Sequence, residues 1–131
     1  MKISETLLKQ NVRNGMIHYF EWVSSKNSIL DYQTKVPIAF VAAEIFESWH
    51  DVHFNSDINW YSEPVFSTKE KYEIEKFIAT LEIASVNTDV MIFPLEEILE
   101  TKVVIDLIHC AESALTVFQK RGEFSNDIEQ F

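Results

Sequence analysis

The sequence predicts an all-α fold, an irregular bundle of about five helices that forms a single domain over residues 1–131. Three observations point there. The chain holds only two glycines and three prolines, too few for the many turns of an all-β protein. Its apolar residues recur at helical spacing in successive stretches, and no sustained alternation of period two is present. A composition of 47% hydrophobic and 24% charged residues is that of a globular chain with enough apolar material for one core.

The first helix is expected over residues 4–25. Ser4 is the candidate N-cap, and Leu8, Val12, Met16, Phe20 and Val23 make the apolar stripe. Gly15 weakens this helix by about 1 kcal/mol relative to alanine without outweighing the stripe. Lys26-Asn27-Ser28 is expected to end it, leaving NSILDYQT as a connection with one turn at most. Thr34 is the candidate N-cap of a second helix with Pro37 in its first turn, where the missing N–H costs nothing. Its stripe is Ile38, Val41, Ile45, Trp49 and Val52.

From His53 to Phe66 no period persists, which predicts a loop. Ser67-Thr68-Lys69-Glu70 has the capping-box form S-x-x-E, and Ile74, Phe77, Ile78 and Leu81 continue a third helix until Asn87-Thr88-Asp89 breaks it. The following VMIF reads as a short extended piece. Pro94 opens the last helical region, whose apolar face turns partway along. Leu95, Ile98 and Leu99 centre near about 130° on the helical wheel, whereas Val103, Leu107, Ala111, Ala114 and Phe118 centre near about 260°. A straight helix cannot aim both at one core, so a break is expected near Thr101-Lys102. Gly122 suits the position just past the helix end, after Lys120 and Arg121. The tail EFSNDIEQF is expected to add a turn at Ser125.

The charge is laid out unevenly. Glu44, Glu47, Asp51, Asp57 and Glu63 fall between Val36 and Thr68, a window with no Lys or Arg. Glu82, Asp89, Glu96, Glu97 and Glu100 fall in a second such window, Phe77 to Thr101. Together they equal the net charge of −10, and the rest of the chain cancels. Side by side, the windows would make one strongly negative face. Trp60 and Tyr61 lie within the first, between Asp57 and Glu63, a composition suited to interface anchors; the alternative is a loop folded back over the bundle end, which is expected for Phe66. The candidate partner-binding residues are therefore Glu44, Glu47, Asp51, Asp57, Trp60, Tyr61, Glu63, Asp89, Glu96, Glu97 and Glu100.

Catalysis is disfavoured. His18 with Glu21, Glu47 with His50, and His109 with Glu112 have the i,i+3 spacing used by di-metal helical bundles. The wheel turns all three pairs away from the apolar stripes, so they read as solvated surface pairs and no metal or other cofactor is expected. Cys110 lies on the apolar side of its helix, as inert packing cysteines do. No glycine-rich phosphate loop, CxxC, HExxH or GxSxG occurs.

An acidic chain repels phosphate and attracts basic proteins, so a basic partner is expected and direct nucleic-acid binding is not. The single cysteine fits a reducing compartment. MKISETLLKQ lacks a long apolar stretch, and the longest apolar run, Val36 to Ala43, has eight residues; a cytoplasmic chain that does not enter a membrane is expected.

In size, acidity and lack of catalytic motifs the chain is similar to bacterial immunity proteins of contact-dependent growth-inhibition systems. That resemblance is one of general character. It implies a stoichiometric inhibitor whose negative surface matches the positive cleft of a nuclease-type toxin. Two other classes remain open: a small metal-dependent enzyme using the His–Glu pairs, and a helical adaptor or homo-oligomer whose acids only aid solubility.

Overall fold

The structure, a computed structural model, describes residues 4–89 and 93–131. Those residues contain six α-helices: α1 (Glu5–Val23), α2 (Lys26–Lys35), α3 (Val41–Val52), α4 (Thr68–Asn87), α5 (Leu95–Ile98) and α6 (Lys102–Gln119). No strand occurs among them. Helix α1 runs through the middle, packed against α2, α3 and α6, while α4 lies along α6 and α5 closes on α3.

The expected start of α1 holds, with the Ser4 hydroxyl accepting from the Leu7 N–H at 3.1 Å. Met16, Phe20 and Val23 are fully buried. Phe20 meets Trp49, Phe77 and Phe118 within 5.2 to 5.8 Å, tying α1, α3, α4 and α6 into one aromatic core. Edge-to-face and tilted pairs of this kind add about 0.5–1.5 kcal/mol each beyond simple burial. The α4 capping box is present in full, and the expected break leaves α5 and α6 separate, with Thr101 between them. Gly122 has φ +73° and sends its N–H to the Phe118 carbonyl at 2.9 Å, closing α6 in the left-handed conformation glycine tolerates.

Two expectations are corrected between α1 and α3. The stretch read as a connection is the ten-residue helix α2. Ser25 caps it, and Ile29 alone is fully buried, with Tyr32 edge-on to Trp22 at 5.4 Å. So thin an apolar stripe gives almost no periodic signal, and neighbouring helices stabilise the turn pattern instead. Thr34 consequently lies inside α2, its hydroxyl donating to the Leu30 carbonyl, and caps nothing. Pro37 lies in the link, and α3 begins only at Val41. Ile38, expected in the core stripe, is 92% exposed. Val41, Ile45 and Trp49 are buried as expected.

The polar lock at the opposite end has no counterpart among the expectations from sequence. Arg13 is fully buried and donates to Glu70 at 2.7 Å and to the carbonyls of Gly122, Val65 and Phe118 at 2.9 to 3.1 Å. Glu70 also receives Arg121 at 2.7 Å and the Ser67 N–H at 2.8 Å. Burial pushes the Glu70 carboxyl up, but these hydrogen bonds prevail and hold it below the usual carboxylate range. Phe124 lies against both guanidinium groups, 4.4 Å from Arg13 and 5.3 Å from Arg121. Buried Gln10 and Asn14 grip the rest of the tail through Ser125, Ile128, Gln130 and Phe124. The Ser125 hydroxyl accepts from Asp127 and Ile128, making a bend where a turn was expected. The VMIF expectation falls largely on residues 90–92, outside the described residues.

Candidate functional site

The loop half of the first acidic window folds onto the bundle end. Tyr61 is fully buried there, its hydroxyl accepting from the Asn55 N–H at 3.0 Å and donating to the Asn55 carbonyl at 2.9 Å. Burial, the dominant cause, raises its phenol above the ordinary value. As a contact anchor Tyr61 is therefore corrected. Trp60 is partly buried, 5.3 Å from Phe54 with Lys9 over its ring at 5.1 Å. Phe66 is fully buried, as expected.

Asp57 and Glu63 are exposed but share this end with cations. Lys9 donates to Ser62 at 3.3 Å, Lys71 to Asn59 at 2.8 Å and Arg121 to the Pro64 carbonyl at 2.8 Å. A window free of Lys and Arg in sequence is thus laced with them in space, because the loop lands on the starts of α1 and α4 and the end of α6. The single acidic face does not extend over this loop.

The other half of the layout converges. The link 36–40 and the segment entering α5 enclose an open hollow of about 400 Å³ lined by Phe40, Phe93, Pro37 and Pro94 among others. Phe40 also borders a second hollow with Ile38, Glu44 and Glu47, and Phe93 borders a third with Asp89 and Glu97. Acids of the first window thus line the hollow on one side of Phe40 and acids of the second line the hollow beside Phe93, while the hollow the two rings share is apolar apart from Gln33. Phe40 is 63% and Phe93 53% exposed. Neighbouring exposed side chains of this size on one face are the usual mark of an interaction surface.

The link is firmly held. The Gln33 side-chain amide donates to the carbonyls of Val36, Pro37 and Ala39 at 3.0 to 3.4 Å, and the Ala39 N–H returns to Val36 at 3.0 Å. The nearby Glu44 of α3 raises the Tyr32 phenol of α2 above its ordinary value, chiefly through hydrogen bonding. Lys35, next in chain to the link, is paired with Asp31 at 2.9 Å.

The remaining expected contacts divide. Glu96 and Glu97 are exposed on α5, and Asp51 is exposed at the far end of α3. Glu100 is exposed and pairs on the surface with Lys26 at the start of α2. Lys26 is far away in sequence and could not be set against Glu100 by counting charges along the chain.

The three His–Glu pairs face solvent, as the wheel predicts. His18 reaches Glu123 at 2.8 Å in place of Glu21. Among the described residues no three His, Cys, Asp or Glu side chains converge as metal ligands would. Cys110 lies 3.3 Å from the Thr80 hydroxyl. His53 is sandwiched between Trp49 and Tyr61, with centroids 5.2 and 5.7 Å away and rings nearly parallel. Its Nε2 is buried without a hydrogen-bond partner, and burial, then the nearby His50, hold its pKa below the ordinary value.

Sequence reasoning missed Ile38, Phe40 and Phe93 as surface residues. A signal existed in VPIAFVAA, too apolar for a link that only connects, and in the prolines at 37 and 94 that keep both lips of the groove out of helix. No described helix is long and apolar enough to cross a membrane. Comparison with protein-family models, curated proteins and solved structures returns no match.

Proposed function

We propose that this chain is a non-catalytic binding protein that neutralises a basic partner at the acid-flanked groove, acting as an immunity protein against a nuclease-type toxin. The observation that supports the reading is that hollows holding acids of the two Lys-free windows, Glu44 and Glu47 in one and Glu97 in the other, flank the hollow shared by exposed Phe40 and Phe93. A nuclease must keep its cleft positive to hold phosphate, and an inhibitor needs only a matching negative surface. The same field opposes direct contact with nucleic acid. Such an inhibitor works in the cytoplasm, where a lone cysteine stays reduced.

The test is co-expression with the product of the neighbouring open reading frame. That product should be toxic alone and silenced by this chain in a one-to-one complex. The association rate should fall steeply with added salt, and Glu47→Lys should weaken the complex while leaving the helical signal intact. A neighbour that remains toxic, or a tight complex indifferent to salt, refutes the reading.

A further inference from the structure

The groove is built to do more than display charge. Ile38, at 92% exposure, stands on a link that Gln33 fixes with three hydrogen bonds. An apolar side chain held out on a fixed backbone is prepared for burial by something else, since that backbone needs little further ordering on binding. The flanking acids decide what that is. A second copy would bring Glu44, Glu47 and Glu97 against like charges, and an acidic segment would meet the same repulsion.

We infer that the groove receives an amphipathic basic segment of the partner. One large apolar side chain of that segment seats between Phe40 and Phe93, and flanking Lys or Arg residues meet Glu44 and Glu47 on one lip and Glu97 on the other. This rests on the function proposed above and names the partner chemistry. Apolar contact supplies the slow dissociation and the acids supply the fast, salt-dependent encounter.

The experiment uses the full chain and three synthetic peptides, of alternating Lys/Leu, Lys/Ser and Glu/Leu composition, followed by amide NMR shifts and by sizing chromatography of the free protein. The Lys/Leu peptide should shift Ile38, Phe40 and Phe93 and bind at least about tenfold more tightly than Lys/Ser. Phe40→Ala should remove about tenfold of that affinity, and Ile38→Ser should act in the same direction. Both residues are exposed, so folding should be untouched. Equal binding of Lys/Leu and Lys/Ser would overturn the apolar seat while leaving the electrostatic reading standing. Equal binding of Lys/Leu and Glu/Leu would overturn both. A dimer with Phe40 at its interface, or a groove that no peptide shifts, would overturn the assignment of a basic segment.

Discussion

Replacing Arg13 with methionine tests the polar lock most directly. The substitution keeps an unbranched side chain of similar reach and removes the charge and all four donated hydrogen bonds. Glu70 would keep Arg121 and the Ser67 N–H, Val65 would keep Arg121, and Phe118 would keep the Gly122 N–H. The Gly122 carbonyl would lose its donor, although partial exposure lets water replace some of it. A charge-assisted bond is worth about 1.5–3 kcal/mol and an orphaned buried acceptor about 1–3 kcal/mol. Because Glu70 keeps Arg121 and the Ser67 N–H, it is not left as an uncompensated buried charge, and the loss should lie at the low end of these terms together, about 3 kcal/mol. Arg13 is fully buried and the Glu70 side chain is 2% exposed, so solvent screening does not discount it.

Urea unfolding followed by circular dichroism reads the effect. With a slope of about 1.5 kcal/mol per molar, the midpoint should drop by about 2 M. Amide exchange in the tail beyond Gly122 should accelerate as well, because Phe124 loses one of its two cationic faces. A midpoint within about 0.5 M of the parent would mean that the apolar core alone holds this end of the bundle.

Two further outcomes are expected. Neutral His53 is favoured in the folded state, so the unfolded chain takes up the proton first; stability should be full above pH 6.5 and decline as the pH falls below it. His53→Phe, which keeps a ring between Trp49 and Tyr61, should flatten that decline, while the contribution of Glu70 should persist until the pH drops below 4.5; an unchanged slope between those values would refute the assignment. In α1, a Cβ at Gly15 would meet only Val52 Cγ1, at an ordinary 3.7 Å, so Gly15→Ala should add about 1 kcal/mol and raise the melting temperature by roughly 3–5 °C; a lower melting temperature would show that α1 and α3 cannot accept the methyl group.

Much of the fold could be read along the chain because the interactions concerned are local. Ser4 and Ser67 cap helices through residues three positions away, and the turned apolar face around Thr101 required a break whatever the partners were. Gly122 ends α6 for a reason internal to its own φ. Helix α2 escaped because its apolar side amounts to little more than Ile29, and α3 was begun too early because Pro37 is as acceptable in a link as in a first helical turn.

The site was half legible for the same reason. Counting charges identified two acidic windows, and geometry kept only the parts near the α2–α3 link and α5. Lys9, Lys71 and Arg121 diluted the loop, Lys26 came to pair with Glu100, and Tyr61 went inside. Each of those outcomes depends on residues brought together from distant parts of the chain.

Local spacing alone determined an acidic, all-α chain with its caps and breaks in place. Only tertiary packing decided that Glu70, already visible as a cap, would also anchor buried Arg13 and exposed Arg121, and that Ile38 and Phe40 would face water beside Glu44 and Glu47. Backbone hydrogen bonds and helical periodicity act over three or four residues, whereas burial and electrostatic potential depend on every neighbour that the folded chain brings near.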